Sequence, residues 1–375
     1  MLQLAMKGAL ALPDEGRRRV LDLVFRYGWN ATAFQTLGTG YQYFFRGDGC
    51  AAYVDTGSAW VAAGSPISAS ARLREVAVGF VEAARQAGRR CCFFGSEKRF
   101  VLAAGQALSA LPIGEQPVWD PRDWARTLDR HARLRYALRH AHCKGVRVRH
   151  LMQGALAASD RLRAATADLT SRWLAARRMP PMGFLLRVEP DAFPEQRRCF
   201  LAEWDGHLIG LVYVVPVPER RGWFIEHMVR APHAPNGTME LLVDAVMRWA
   251  SEQGCSWLTL GLAPLSGDIP LLLRVARKRM AFLYNFEGLH RFKAKLRPSE
   301  WHPIYLSYPA AQGAFLSIVD VLAAFAKKGP PSPQPTGPGS GDCPACLPPV
   351  CQSVSRVRTL HGDLRLPGRL RWNPP

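Results

Sequence analysis

The order of hydrophobic patterns restricts the fold of this chain more than any other feature, because the same order occurs twice. In each of two stretches, strand-like runs come first, an amphipathic helical pattern follows, and an apolar run closes the stretch. Alternation of apolar and polar residues indicates half-buried strands, whereas apolar residues three or four apart indicate a helix. We therefore predict an α/β chain with two units of the same order, although the residues themselves show no convincing internal repeat.

The segments of the two units follow from these patterns. In the first unit the strand patterns are 36–45, 49–57 and 58–67, the helical pattern is 71–88 and the apolar run is 89–96. In the second unit the strand patterns are 183–190, 197–217 and 222–230, the helical pattern is 238–254 and the apolar run is 255–265.

The domain organisation expected from these patterns has five parts. An N-terminal unit covers residues 1–121, a basic helical linker covers 122–178, and a C-terminal unit covers 179–310. A terminal helix is expected over 311–328. Residues 329–375 are rich in Pro, Gly and Ser, and we expect a disordered tail there because such a segment buries too little apolar surface to join a core.

Charge indicates a polyanionic partner. The chain has 49 Lys and Arg against 30 Asp and Glu, for a net charge of +19. The linker concentrates this excess, with fourteen Lys or Arg against four Asp or Glu over 122–178. Its helices are either solvated faces or a contact surface for nucleic acid or lipid, and both interpretations remain open.

Other features favour a cytoplasmic protein that is at most peripheral on a membrane. Lys7 interrupts the apolar N-terminus, and no run reaches the roughly 18 apolar residues of a spanning helix. The nine cysteines are odd in number and mostly lie in apolar runs, which is typical of reduced, packed thiols. Cys343, Cys346 and Cys351 lack a clear fourth ligand, so no metal site is expected.

A junction between a strand and a helix, residues 230–242 with the sequence "RAPHAPNGTMELL", is the main candidate for a site. Backbone N–H groups at such a junction can point at an anionic or carbonyl ligand, although an ordinary connection is the alternative. We expect Asn236, Gly237 and Thr238 to form the loop and the helix cap. Glu240 follows in the first helical turn, where a carboxylate complements the helix dipole.

Three strings together resemble a known family. They are the junction, "LGLAPLSG" at 260–267 and "FKAKLRPSEWHPIYLSYP" at 292–309, and the similarity continues through "YFFRGDGCAAYVDTGSAWVAAGSPI". They resemble the cytosolic catalytic domain of phosphatidylglycerol lysyltransferases and alanyltransferases, over roughly residues 20–310. The resemblance implies two tandem GNAT-like domains that transfer an aminoacyl group from aminoacyl-tRNA to a lipid hydroxyl, without a cofactor.

The resemblance also implies roles for residues of the junction. Arg230 ends the strand, where its guanidinium would bind a phosphate or orient an acidic partner. The lysyl and alanyl enzymes have an aspartate three positions earlier, whereas this chain has His227 there and Glu226 beside it. His227 suits a general base and Glu226 an anchor for the substrate amine. Because neighbouring strand residues face opposite sides, we expect only one of them to enter the cleft.

Three further residues are candidates for substrate binding. The family pattern places a functional lysine in the third string, where Lys293 and Lys295 alternate on an expected strand and would contact the tRNA terminus or a lipid phosphate. Asp268 would either bind the α-ammonium group of the donor or serve a turn.

Two alternative functions remain. A coenzyme-A-dependent N-acyltransferase would keep the fold and change the donor, but the basic glycine-rich phosphate loop that such enzymes use is missing. A non-catalytic module that binds tRNA or an anionic membrane would use the same basic helices. The sequence also lacks a GxSxG, an HExxH and a Walker motif, which is consistent with direct transfer from an activated ester.

Overall fold

The computed structural model describes residues 15–327 except 157, 177–182, 186, 190–191, 271–272, 275–276 and 278–284. The expected tail at 329–375, with Cys343, Cys346 and Cys351, lies outside the described residues.

Helices and strands alternate along the described chain. The helices are α1 (Glu15–Tyr27), α2 (Leu73–Gln86), α3 (Lys98–Ala104), α4 (Trp124–Arg130), α5 (Ala132–Cys143), α6 (Asp160–Ala175), α7 (Thr238–Glu252), α8 (Phe286–Lys295) and α9 (Ala314–Ala326). The strands are β1 (Gln42–Phe45), β2 (Gly49–Asp55), β3 (Ala59–Ala63), β4 (Ile67–Ser68), β5 (Arg90–Glu97), β6 (Ser109–Trp119), β7 (Arg147–His150), β8 (Arg198–Trp204), β9 (His207–Val217), β10 (Gly222–Arg230), β11 (Trp257–Thr259), β12 (Ala263–Pro264) and β13 (Glu300–Tyr308).

Within the described residues, the strands form one mixed sheet with the order β1-β2-β3-β5-β13-β6-β11-β10-β9-β8-β7. Two short strands lie off this path, since β4 pairs with β2 and β12 pairs with β6. The last strand, β13, lies between β5 and β6 and is antiparallel to both. The α/β class predicted from the sequence is therefore confirmed.

Helix α7 shows why the second unit folds as expected. Its apolar residues recur at helical spacing, and Leu242, Val246 and Met247 are each fully buried. Each such side chain contributes about 1.5–3 kcal/mol when it is removed from water. Trp249 of the same helix packs against Trp223 of β10, with ring centroids 4.8 Å apart. Helix α7 therefore holds one face of β10 in place.

Three expectations about local structure are wrong. Residues 292–295 belong to helix α8 rather than to a strand, because Asn285 caps this helix by accepting a hydrogen bond from the Gly288 N–H at 2.7 Å. The described residues of 183–190 form turns and extended chain instead of a strand. Strand β7 lies within the linker that was expected to be helical and pairs with β8.

Candidate active site

Two parallel strands separate at the centre of the second unit. Strands β10 and β11 are paired from Gly222 opposite Trp257 to Phe224 opposite Thr259. Beyond Thr259 the chain leaves the sheet, whereas β10 continues beside β9 as far as Arg230. The close approach at this point requires a glycine, because a Cβ atom on Gly261 would lie 2.7 Å from the Phe224 ring. A gap therefore opens between the two strands just after Phe224.

A β-bulge in β10 lies at the mouth of this gap. The pairing with β9 shifts register between Ile225 and His227, so Glu226 is an extra residue in the strand. The Glu226 Oε2 and His227 Nε2 atoms are 3.7 Å apart, and both side chains are buried. The two side chains therefore lie next to each other, because a bulge interrupts the alternation of side chains, and the entry of one or both of them into a cleft stays a prediction.

The carboxylate of Glu226 forms a buried ion pair with Arg197, a residue that the sequence analysis did not identify. The exposed fractions of the two side chains are 3% for Glu226 and 6% for Arg197. The Arg197 guanidinium also donates from Nε to the Ala192 carbonyl at 2.9 Å and lies 5.3 Å from the centre of the Phe34 ring. Buried charges need a partner of opposite sign, and Arg197 is the partner of the Glu226 carboxylate.

Residues 39–41 of the N-terminal unit contact residues 185–189 of the C-terminal unit. The Thr39 N–H donates to Glu189 Oε2 at 2.8 Å, and Arg187 pairs with the same carboxylate at 3.2 Å. The Tyr41 hydroxyl accepts a hydrogen bond from the Leu185 N–H at 3.3 Å. Burial raises the pKa of Tyr41, and the charges of Glu189 and Glu226 act in the same direction. The Glu226 ion pair borders the N-terminal unit through Arg197, which lies 5.3 Å from the centre of the Phe34 ring.

Lys293 reaches the other side of the gap from helix α8. Its Nζ atom donates to the carbonyls of Leu260, Gly261 and Leu262 at 2.8, 2.8 and 2.9 Å. These carbonyls follow β11, where the chain has left the sheet. Burial lowers the pKa of Lys293 to about 7. The amine faces three backbone carbonyls rather than an open surface, and it holds the segment that leaves β11.

The junction after β10 is shaped by packing against α5. Gly237 is the N-cap residue of α7 with φ +92°, and a Cβ atom there would lie 2.2 Å from the Ala137 carbonyl oxygen. The hydroxyl of Thr238 donates to the Pro235 carbonyl at 2.6 Å, so this side chain does not cap the helix. Asn236 is exposed and forms no hydrogen bond with a described residue. Glycine is therefore needed at position 237 by the contact with α5.

Arg230 ends β10, opposite Gly210 of β9. Its guanidinium forms no hydrogen bond or ion pair within the described part of the chain. The register of β10 is regular from His227 to Arg230, so alternation directs these two side chains to opposite faces of the sheet. The structure therefore does not bring Arg230 onto the face of the Glu226 and His227 pair.

The remaining candidates have partners of their own. Lys295 forms an ion pair with the buried Glu240 of α7. Because α8 is a helix, two residues on it that are two positions apart point in different directions, and Lys293 and Lys295 do not share a face. Asp268 has a fully exposed side chain and lies 3.3 Å from Arg274. Asp268 thus occupies an exposed turn after β12.

A basic cavity of about 510 Å³ lies between α4 and the segment that follows α8. Burial, followed by the nearby charges of Arg297 and Arg130, lowers the pKa of His131. Arginines from two distant segments meet here, and the sequence analysis had identified only those of the linker. The lining residues are Asp123, Arg126, Thr127, Arg130, His131, Ala294, Arg297, Pro298, Ser299 and Trp301.

The described residues contain no metal cluster, no membrane-spanning helix and no disulfide. No group of three or more His, Cys, Asp or Glu in the described ranges could hold a metal ion. No helix among the described residues is long and apolar enough to cross a membrane. Of the described cysteines, only Cys143 is exposed, and none forms a disulfide.

Comparisons with known proteins agree on one family. The family model described as phosphatidylglycerol lysyltransferase, C-terminal, matches residues 22–308. A phosphatidylglycerol lysyltransferase from Bacillus subtilis (strain 168) is 27% identical over 150 residues, which are 38% of this chain and 17% of that protein. A lysylphosphatidylglycerol biosynthesis bifunctional protein from Nocardia farcinica (strain IFM 10152) is 27% identical over 216 residues, which are 54% of this chain and 18% of that protein. The chain spans less than a fifth of the length of these relatives.

Solved structures show the same fold. The C-terminal domain described as that of a lysylphosphatidylglycerol synthetase from Agrobacterium fabrum has a TM-score of 0.71 at 25% identity, and the match covers 84% of this chain and 96% of that one. The structure of L-PGS from Bacillus licheniformis has a TM-score of 0.71 at 20% identity, with 84% and 98% covered. The α/β fold class expected from the sequence is confirmed, and these two structures share it.

Proposed function

This chain belongs to the phosphatidylglycerol lysyltransferase C-terminal family, and from that premise we propose that it transfers an aminoacyl group from aminoacyl-tRNA to a hydroxyl of phosphatidylglycerol or a related lipid. The identity of the amino acid stays open, because His227 stands where the lysyl and alanyl enzymes have an aspartate.

The observation that carries the proposal is the buried pair of Glu226 and His227 at the point where β10 and β11 separate. A carboxylate and an imidazole 3.7 Å apart are a combination that can anchor an amine and accept a proton. Arg197 pairs with the carboxylate, and the bulge brings both side chains together. The cost of burying three titratable side chains together favours a catalytic role over a structural one.

The proposed reaction exchanges one ester for another. The lipid hydroxyl oxygen attacks the carbonyl carbon of the aminoacyl ester, and His227 accepts the hydroxyl proton as the new C–O bond forms. The bond to the terminal ribose oxygen of the tRNA then breaks, and His227 returns the proton to that oxygen. Glu226 stabilises the transient imidazolium and binds the substrate ammonium. Because the aminoacyl ester of the tRNA is already activated, the step needs no further reactant.

Two basic surfaces support a tRNA donor. Guanidinium groups of Arg126, Arg130 and Arg297 line the cavity beside α4, and such groups bind phosphate oxygens. We also assign Arg230 to a phosphate of the donor, since its guanidinium forms no hydrogen bond or ion pair among the described residues and lies on the face of the strand opposite His227. The lipid acceptor requires the protein to work at a membrane surface, and we propose peripheral association with the inner face of the cell membrane.

A reconstituted transfer assay tests the function. The protein is mixed with detergent-dispersed phosphatidylglycerol and with tRNA carrying radiolabelled lysine or alanine, and labelled lipid is measured after extraction. We expect His227→Ala to lower the rate of transfer by at least about a hundredfold, the usual contribution of a general base. Glu226→Gln should chiefly weaken donor binding. Glu203→Gln is the matched control, because Glu203 on β8 has 41% of its side chain exposed and pairs with Arg149 on β7.

Three outcomes would contradict the proposal. Binding of tRNA without labelled lipid, for every aminoacyl-tRNA tested, would identify a binding module. Acetyl-coenzyme A that binds tightly in calorimetry would support an N-acyltransferase. Equal activity of His227→Ala and Glu203→Gln would show that His227 is not the general base.

A further inference from the structure

Helix α9 exposes four large apolar side chains on its outer face. The residues that face the sheet are Ser317, Asp320, Val321 and Ala324. The outward residues are Phe315, Leu316, Val319 and Leu322, with exposed fractions of 71%, 42%, 42% and 50%. Surface helices of soluble proteins normally show the reverse arrangement. A contiguous exposed patch of large apolar side chains usually marks an interaction surface.

Polar contacts fix this rotation of α9. The buried Asp320 carboxylate accepts a hydrogen bond from Arg90 Nε at 2.9 Å. The Ser317 hydroxyl accepts one from Gln312 Nε2 at 2.9 Å and donates to the Gly313 carbonyl at 2.8 Å. Turning the apolar residues inward would break these bonds and move the Asp320 carboxylate away from Arg90. The hydrogen bonds of Ser317 and Asp320 on the inner face therefore determine that the four large apolar side chains point outward.

Cations flank the apolar face. Lys327 follows the last helical residue and is exposed, and Lys328 is next in the sequence. The Arg89 side chain lies near the same end of the helix, because both Arg89 and Lys327 contact Asp55. Arg90, which holds Asp320, has 38% of its side chain exposed. A stripe of large apolar residues bordered by cations is the pattern of helices that lie at the surface of an anionic bilayer.

We propose that α9 docks this protein on an anionic phospholipid bilayer, with Phe315, Leu316, Val319 and Leu322 inserted among the lipids; this inference rests on the proposed transfer to a lipid. Charge favours the bilayer over two other occupants. A second copy would carry the same net charge of +19 and would be repelled. The segment 329–375 has five Arg against two Asp and would also repel the flanking cations.

The inner side of α9 leads toward the proposed site. The Phe325 ring lies 5.2 Å from that of Phe94 and 5.3 Å from that of Phe184, measured between centroids. Phe184 in turn lies 6.1 Å from Tyr41, whose hydroxyl interacts with the charge of Glu226. One aromatic cluster therefore connects the docking helix with the neighbourhood of Glu226. Docking through α9 would bring the bilayer to this side of the protein.

Vesicle flotation tests the docking face. The full-length chain is mixed with vesicles of equal parts phosphatidylglycerol and phosphatidylcholine, or of phosphatidylcholine alone. We expect binding to the anionic vesicles only, and the double variant Phe315→Ser with Leu322→Ser should weaken it about thirtyfold, since two large apolar side chains no longer leave water. Leu102→Ser is the matched control, because Leu102 is 70% exposed on α3. It should bind like the wild type.

Several results would overturn the docking proposal. Equal flotation of the double variant and of Leu102→Ser would do so. A dimer of the wild type that the double variant abolishes, in analytical ultracentrifugation without lipid, would identify a second copy as the occupant. Faster proteolysis after residue 327 in a double variant that still floats would identify the C-terminal segment as the occupant of the apolar face. If the double variant unfolds, Lys327→Glu must weaken flotation instead, or the proposal fails.

Failure of docking and failure of the proposed function can be distinguished. The wild type is assayed in parallel for transfer to detergent-dispersed phosphatidylglycerol. Wild-type protein that floats with anionic vesicles but transfers nothing would contradict the function and leave the docking face standing. Transfer by the wild type, together with unchanged flotation of the double variant, would contradict the docking face and leave the function standing.

Discussion

Lys293 should make the stability of this protein depend on pH in an unusual direction. Its amine is buried against three carbonyls, and its pKa falls to about 7 in the folded protein, from an ordinary value of 10.5. Between these values the unfolded chain binds a proton that the folded protein has released. The free energy of unfolding therefore rises with pH across this window. Below pH 7 both states are protonated, and Lys293 adds no pH dependence.

The magnitude follows from the two pKa values. The slope approaches about 1.4 kcal/mol per pH unit between them. From pH 7 to pH 9 the gain is about 2 kcal/mol, because the folded protein is already half deprotonated at pH 7. Buried thiols act in the opposite direction above pH 9, since burial raises the pKa of Cys50 to about 12. Measurements should therefore stay between pH 6 and pH 9.

Urea denaturation of the wild type and of Lys293→Met measures this effect. The difference in unfolding free energy between the two proteins should grow by about 2 kcal/mol in favour of the wild type from pH 7 to pH 9. Lys295→Met is the control, because Lys295 lies on the same helix with 47% of its side chain exposed. The difference in unfolding free energy between Lys295→Met and the wild type should stay constant from pH 7 to pH 9.

A constant difference for Lys293→Met would refute the reasoning. The three carbonyls would then favour the ammonium as strongly as burial opposes it, since an ammonium supplies three donors for three acceptors. Lys293 would remain charged up to pH 9, and the gap between β10 and β11 would contain a permanent buried cation.

Other predictions test separate parts of the site. Arg230→Ala should leave the melting temperature unchanged and lower the rate of transfer at least tenfold. Arg230→Lys should restore little of the lost activity, because an ammonium cannot reproduce the bidentate guanidinium. An unstable Arg230→Ala variant with normal activity per folded molecule would contradict the assignment. Glu226→Leu should destabilise the fold by about 3 kcal/mol in urea, and adding Arg197→Met should recover most of the loss, because a lone buried charge costs more than an apolar pair. Gly237→Ala should cost about 2 kcal/mol or more, whereas Gly254→Ala, which has positive φ but open space, should cost only the backbone strain. The affinity for aminoacyl-tRNA should fall steeply as salt rises, and a flat response would argue against phosphate contacts.

Local patterns predicted β10 and α7 well, because both elements have regular periodicity and their apolar faces pack against each other. The string "GWFIEHMVR" alternates, and the apolar residues of "TMELLVDAVMRWASEQG" recur at helical spacing. The junction between them was also located correctly. Its glycine has a structural reason that sequence alone does not contain, namely the approach of α5 to Gly237.

Long-range contacts were the part that sequence could not supply. A bulge changes which face a side chain occupies without changing composition, so the pairing of Glu226 with His227 was not predictable from alternation. Arg197 reaches Glu226 from the residue before β8, and nothing in the local sequence marks it. Around Lys293 the short Lys-Ala-Lys string fits both period two and a helix, and the cap at Asn285 decides between them.

The position of β13 has a consequence for synthesis on the ribosome. Strands β5 and β6 both pair with β13, yet Tyr308 is translated roughly 10–40 s after Glu97 at ordinary elongation rates. During that time the nascent first half exposes two strand edges, which readily pair with other chains. Such a chain should depend on holding chaperones while it is made, and nascent fragments that end before residue 300 should aggregate when released.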